Sequence, residues 1–220
     1  PNLRGVPLRQ LACGSFHCVA VTTRGQLYTF GSPIGRDQSN GNLLGTGDPR
    51  AYRTDVDELN DSDDDSDDSD FGVHMRAWEW TQVQPPRLVR GIGPVASMSC
   101  SSYLNIAITV DGRVFTWGDS DGDALGHEEE ECNVPRVLAA LRGCRVTRGA
   151  ASYTNAAVAT DQGRLYVWGG NAWEGGIYGG RQSQGPSEIQ WDRACMPQHY
   201  RLSSVALGHH HGFLIFRKRP

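Results

Sequence analysis

CGSFHCVAVTTRGQLYTFG, residues 13–31, aligns without a gap on CSSYLNIAITVDGRVFTWG, residues 100–118. Cys13 falls on Cys100, Phe16 on Tyr103, Ala20 on Ala107, Gly25 on Gly112, and Phe30-Gly31 on Trp117-Gly118. A third copy, ASYTNAAVATDQGRLYVWG over 151–169, is read with one extra residue at its turn, which sets Tyr153 in the place of Tyr103. A fourth begins with VALGHHHGFLIF at 205–216 and is expected to stop after its opening strand. Each copy reads as a β-hairpin. The first arm (CVAVT, NIAIT, NAAVA) is small and β-branched, which suits a strand packed on both faces. A polar turn follows whose glycine (Gly25, Gly112, Gly163) supplies the positive φ of a tight hairpin. The second arm alternates with period two and ends in an aromatic residue and a glycine: Phe30-Gly31, Trp117-Gly118 and Trp168-Gly169.

Outside the hairpins, Leu44-Gly45, Leu125-Gly126 and Tyr178-Gly179 follow Gly-rich loops. Pro86-Arg87-Leu88-Val89 and Pro135-Arg136-Val137-Leu138 each lead to a further strand, at Val95–Met98 and around Val146. About four short strands per unit predict an all-β chain, a partial β-propeller of three to four blades. The spacings Phe16–Tyr103, Tyr103–Tyr153 and Tyr153–His210 are 87, 50 and 57 residues. The first exceeds the ~50-residue period of such blades, so about 50–82 is read as an insert. The units are set at about 1–49 with the insert 50–82, 83–138, 139–200 and a partial unit 201–220.

These motifs resemble the repeats named for the regulator of chromosome condensation. Gly14-Ser15-Phe16-His17 and Gly208-His209-His210-His211 match that family's opening Gly-x-x-His, with His17 and His211 in the repeat-histidine position. Leu104 and Thr154 are read as its replacements in the middle units, and Phe30 stands for the usual Trp. The resemblance implies a seven-bladed propeller, with the remaining blades supplied by further sequence, another chain or self-association. A half-propeller otherwise leaves open sheet edges and uncapped ends. The family includes a plant ultraviolet-B photoreceptor with a tryptophan cluster, whose Trp-rich signature is absent here.

The net charge of −4 conceals a segregation. Residues 55–70, DVDELNDSDDDSDDSD, hold ten of the 25 acidic residues and no Lys or Arg, which leaves 21 basic and 15 acidic residues elsewhere. The basic residues are Arg except Lys218. An arginine fork recognises carboxylate or phosphate, although a compositional preference for Arg is the plain alternative. The acidic block reads as a solvated loop, with Asp63, Asp64, Asp65, Asp67 and Asp68 as candidate contacts for a basic partner. Ser62 and Ser66, each followed by aspartates, are candidate phosphoacceptors. The block lacks the glycine and terminal glutamate of a calcium-binding loop.

His209-His210-His211 suggests a metal, but neighbours on a strand point to opposite faces, so a structural role is expected. Trp117 and Trp168 are expected in the core. Trp78, Trp80, Trp173 and Trp191 fall in loops, and Trp78 and Trp80 are candidate interface anchors. None of the six cysteines forms a CxxC pair, and all are expected reduced in an intracellular compartment, cytoplasm or nucleus. No run of about 18 apolar residues is present to span a bilayer. The N-terminus has neither a signal-type apolar run nor an initiating Met, so the sequence is read as a fragment.

No nucleophile elbow, phosphate loop or HExxH occurs, so no enzyme activity, cofactor or metal is expected. The expected function is a protein-interaction scaffold, because loops on the propeller faces carry recognition. The alternatives are guanine-nucleotide exchange on a small GTPase, achieved by tighter binding of the nucleotide-free form; the substrate-binding region of a large ubiquitin ligase; and chromatin association. Nucleic acid is the weaker partner class, and its binding would fall steeply with salt.

Overall fold

The computed structural model describes residues 3–33, 42–47, 83–119, 123–128, 131–170, 183–190, 199–208 and 211–218. They form three four-stranded antiparallel sheets and one two-stranded sheet. The first sheet holds β1 (Leu8–Cys13), β2 (His17–Thr22), β3 (Leu27–Gly31) and β4 (Gln84–Leu88). The second holds β5 (Val95–Cys100), β6 (Leu104–Thr109), β7 (Val114–Asp119) and β8 (Glu131–Val137). The third holds β9 (Val146–Ala151), β10 (Asn155–Thr160), β11 (Leu165–Gly169) and β12 (Ser183–Glu188). The fourth pairs β13 (Tyr200–Leu207) with β14 (Gly212–Lys218). In each four-stranded sheet the strands lie in chain order, as blades of a propeller do.

Three sequence expectations are corrected. The boundary set at residue 83 moves, because Gln84–Leu88 pairs with β3 and completes the first sheet. The insert therefore joins two strands of one blade. The fourth unit has two strands, not one. Finally, the third copy has no extra turn residue. Asn155 pairs with Gly169 as His17 pairs with Gly31 and Leu104 with Gly118, so Asn155, not Thr154, takes the histidine position. The matched tyrosines misled the alignment; the turn and the strand register agree on the gapless one.

That turn is the same three times. The N–H of Gly25, Gly112 and Gly163 donates to the carbonyl of Thr22, Thr109 and Thr160 at 2.9, 2.9 and 3.0 Å. The threonine N–H in turn donates to the carbonyl of Gln26, Arg113 and Arg164. The glycines have φ of 80°, 88° and 78°. This is a three-residue hairpin loop with glycine in the left-handed region, where a side chain is strained. The glycine after each aromatic residue has a different reason. A Cβ on Gly118 or Gly169 would lie 2.1 Å from the carbonyl oxygen of Tyr103 or Thr154.

The innermost strands β1, β5, β9 and β13 succeed one another around the axis. Gln10 on β1 extends the pairing, donating through Nε2 to the Met98 carbonyl at 2.6 Å and accepting from the Met98 N–H at 3.2 Å. Between β5 and β9 the Ala151 N–H donates to Ser99 Oγ. Val19, Val21, Leu27, Met98, Ile106, Ile108, Trp117, Val158 and Trp168 share one continuous core across the first three sheets. A smaller core joins the third and fourth through Ala157, Leu165, Leu202 and Val205. Complete burial of one such aliphatic side chain contributes about 1.5–3 kcal/mol.

Among the described residues the stack has two uncovered ends. Val19 and Val21 are 0% exposed and lie beneath the following sheet, whereas Phe213 and Ile215, at the corresponding positions of β14, are 64% and 54% exposed. At the other end Leu11 is 57% exposed.

Candidate interaction surfaces

The sheets are locked in series by polar bonds from each blade to the loop of the one before. Trp117 Nε1 donates to the Leu43 carbonyl at 3.2 Å, and Trp168 Nε1 donates to the Ala124 carbonyl at 2.8 Å. Gly45 and Gly126 leave room for those indoles: a Cβ on either would approach the ring within 2.8 Å. Thr29 and Thr116 hold the same loops from their own blades, donating to the Leu44 and Leu125 carbonyls at 2.7 and 2.8 Å. Phe30, in the tryptophan position of the first sheet, has no indole N–H to offer.

His17 adds a second lock. Asn105 Nδ2 donates to the Leu43 carbonyl at 3.0 Å, which turns its Oδ1 toward His17 Nε2 at 2.7 Å. His17 therefore carries its proton on Nε2, and Nδ1 is buried with no partner. A lone pair with no donor suits a neutral ring. Burial holds the imidazole below its ordinary pKa, and the Asn105 bond opposes this only in part. His211 occupies the same turn position in the fourth sheet, where its carbonyl accepts from the Gly208 N–H and its ring meets Phe213 edge-on at 5.3 Å.

The two faces of the stack differ. On the face of the β1–β2 turns an aromatic row crosses three blades: Phe16 stacks on Tyr103 at 6.0 Å, and Tyr103 meets Tyr153 edge-on at 5.6 Å. Beside it Ser15 Oγ donates to Ser102 Oγ at 2.9 Å. The connections β3–β4 and β7–β8 also start and end on this face. By sequence, thirteen of the 25 carboxylates lie between Gly31 and Gln84, and seven more lie from Asp119 to Glu131.

The opposite face, that of the β2–β3, β6–β7 and β10–β11 turns, is basic. Its turns and adjoining strand ends carry Arg24, Arg90, Arg113, Arg142, Arg145, Arg164, Arg201, Arg217 and Lys218, against Asp111, Asp161 and Glu188. Asp111 is tied to Arg113 at 2.8 Å and Glu188 lies 3.7 Å from Arg164. The Thr109 hydroxyl, with Arg113, holds the Asp111 carboxyl below its ordinary pKa. Two clefts open between these turns and the links to the next blade. The first, about 300 Å³, has Arg24 and Arg90 on its rim and Leu27, Leu88, Val89 and Ile92 in its walls. The second, about 420 Å³, is rimmed by Arg113, Arg142 and Arg145 over Val114, Leu138 and Leu141.

Sequence reasoning noted the arginine excess but not its placement. The signal was there, since Arg24, Arg113 and Arg164 occupy or adjoin the repeated turns. Of the residues singled out earlier, Trp117 and Trp168 lie in the core and form the inter-blade bonds. Ser62, Ser66, Asp63, Asp64, Asp65, Asp67, Asp68, Trp78, Trp80, Trp173, Trp191, His209 and His210 lie outside the described residues. The five described cysteines are free thiols. Among the described residues no cluster of three His, Cys, Asp or Glu is placed to hold a metal, and no helix is long and apolar enough to cross a membrane.

Four-stranded antiparallel blades stacked around an axis define a β-propeller interaction domain. Models of the regulator of chromosome condensation (RCC1) repeat match residues 8–33 and 111–158, so the chain carries repeats of that type. It is 26% identical over 181 residues to the E3 ubiquitin-protein ligase HERC2 of Homo sapiens, covering 73% of this chain and 4% of HERC2. It is 25% identical to the RCC1 domain-containing protein RUG3, mitochondrial, of Arabidopsis thaliana, covering 98% of this chain and 41% of RUG3. The fold matches Prp20p of Saccharomyces cerevisiae with a TM-score of 0.64 at 19% identity, covering 98% of this chain and 44% of Prp20p. The chain thus spans less than half the length of each.

Proposed function

We propose that this chain is a non-catalytic, intracellular interaction module whose arginine-bearing turn face receives an acidic segment of a partner protein. The observation that carries the reading is the gathering of arginines on the described turns of one face, with the two described clefts beside them. Arginine forks pair with carboxylates in two parallel bonds. The aliphatic walls favour a peptide that alternates acidic and apolar residues over a nucleic-acid backbone, which has no group to place there. No acid, base or nucleophile is required for such binding.

A fluorescent peptide of alternating Glu and Leu tests this by anisotropy. Binding is expected to weaken as salt shortens the screening length toward about 8 Å. Arg24→Glu combined with Arg90→Glu should weaken it on the order of tenfold, about 1.4 kcal/mol. Equal binding of the double variant, or preference for a duplex DNA of matched charge, would argue against the reading.

The likeness to HERC2 favours a second reading, in which the same face selects substrates for a ubiquitin ligase. Prp20p is described by its binding to Gsp1p and histones. A likeness at 19% identity carries the fold, so exchange on a small GTPase stands behind both readings. A nucleotide-release assay with purified small GTPases tests it.

A further inference from the structure

Cys13 closes β1 and Cys18 is the second residue of β2, and the two are directly paired across the hairpin. The Gly14 N–H donates to the His17 carbonyl at 2.8 Å. Gly14 and His17 are therefore a hydrogen-bonded pair, and the next pair outward, Cys13 and Cys18, is a non-hydrogen-bonded one. Side chains of such pairs lie closest together. Their sulfurs are 3.1 Å apart, whereas a disulfide needs about 2.05 Å, so closing the gap takes a movement of side chains alone. The corresponding pairs in the other sheets, Cys100 with Asn105, Ala151 with Ala156 and Leu207 with Gly212, cannot do this.

We propose that Cys13 and Cys18 are a redox pair, reversibly bridged by a small-molecule disulfide such as oxidised glutathione. Cys13 is the exposed partner and is where the oxidant enters. Its thiolate attacks one sulfur of glutathione disulfide; a Cys13–glutathione bond forms and one glutathione thiolate leaves. Cys18 gives its proton to that thiolate or to solvent, and its sulfur attacks the Cys13 sulfur, expelling the second glutathione. Two protein thiols become one disulfide, and the two electrons they lose reduce one glutathione disulfide to two glutathiones. Burial, and then contact with Cys13, pushes the Cys18 thiol up to about 11, which fits Cys18 as the resolving rather than the entering thiol. Cys100 is nearby and half-buried. Burial first, then the two neighbouring thiols, raise it to about 12, which keeps it out of the exchange.

The bridge would span the turn that carries Phe16 into the aromatic row and His17 into its bond with Asn105. Oxidation therefore stiffens one end of the aromatic face without touching the basic one.

The test is to equilibrate the whole chain in glutathione buffers of graded oxidation, trap free thiols with an alkylating agent and map peptides by mass spectrometry. Expected is a Cys13–Cys18 link, formed in most molecules under excess glutathione disulfide and reversed by reduced glutathione. Cys100→Ser should leave the link intact, and Cys18→Ser should halt at one glutathione on Cys13. A Cys13–Cys100 link would overturn the assignment. So would a wild-type chain that stops at the mixed disulfide or keeps both thiols free under full oxidation.

Discussion

At the scale of the residue, His17 shows how one polar side chain can be buried at tolerable cost. Nε2 is satisfied and Nδ1 is an acceptor, so the neutral ring fits and the charged ring does not. The folded state therefore binds the proton more weakly than the unfolded chain. Stability from this site is complete above about 6.5, the unfolded value, and is lost as pH falls below it, because the unfolded chain then holds more protons. Urea midpoints measured across that range should decline in the native chain and decline less in His17→Gln, which keeps a donor for Asn105 and does not titrate. His17→Ala should cost about 1–3 kcal/mol at neutral pH, since Asn105 loses its partner in the interior. The sequence marked His17 as a repeat position through Gly14 and the following strand, and the structural role follows from that. It could not show Asn105 as the partner. The two are 88 positions apart, and the bond depends on one blade meeting the next.

At the scale of the element, the hairpins were legible because local chemistry and pattern agree: a threonine, a left-handed glycine and a period-two arm specify the same turn three times. The register of the third copy was harder. Tyr153 looks like the counterpart of Tyr103, and its ring does reach Tyr103, but from one position earlier in the turn. Only the pairing of Asn155 with Gly169 decides it. The seams between sheets depend on loops whose place in space no pattern reveals. They also differ in redundancy. The Leu43 carbonyl accepts from both Trp117 and Asn105, whereas at the next seam Trp168 meets the Ala124 carbonyl. Trp168→Phe should therefore destabilise more than Trp117→Phe, by about 0.5–1.5 kcal/mol, the net value of one hydrogen bond. Both variants leave the same small void, so the difference in urea midpoints isolates the bond.

At the scale of the whole molecule, each sheet hides what its neighbour would expose. The positions that are fully buried as Val19 and Val21 lie open as Phe213 and Ile215. Contiguous apolar surface of this kind marks an interaction site or an aggregation liability. If this surface drives self-association, sedimentation of the native chain should depend on concentration and that of Phe213→Glu with Ile215→Glu should not, while the melting of the first three sheets is kept. Unchanged association would place the contact elsewhere. The acidic residues at 55–70 stand out in the sequence as a block. That the insert joins two strands of one blade emerged only when β4 was found in the first sheet.

The match at 111–158 begins in a hairpin turn of the second sheet and ends on the second strand of the third. The unit matched at 111–158 is thus out of step with the unit that packs, whereas the match at 8–33 lies within the first sheet. The copy at 111–158 carries half of one blade and half of the next, so it crosses the seam between the second and third sheets. A tandem duplication or loss of one copy would leave both junctions with correctly paired strands, whatever its endpoints. Such a chain can gain or shed a blade in one genetic event without ever passing through a broken sheet.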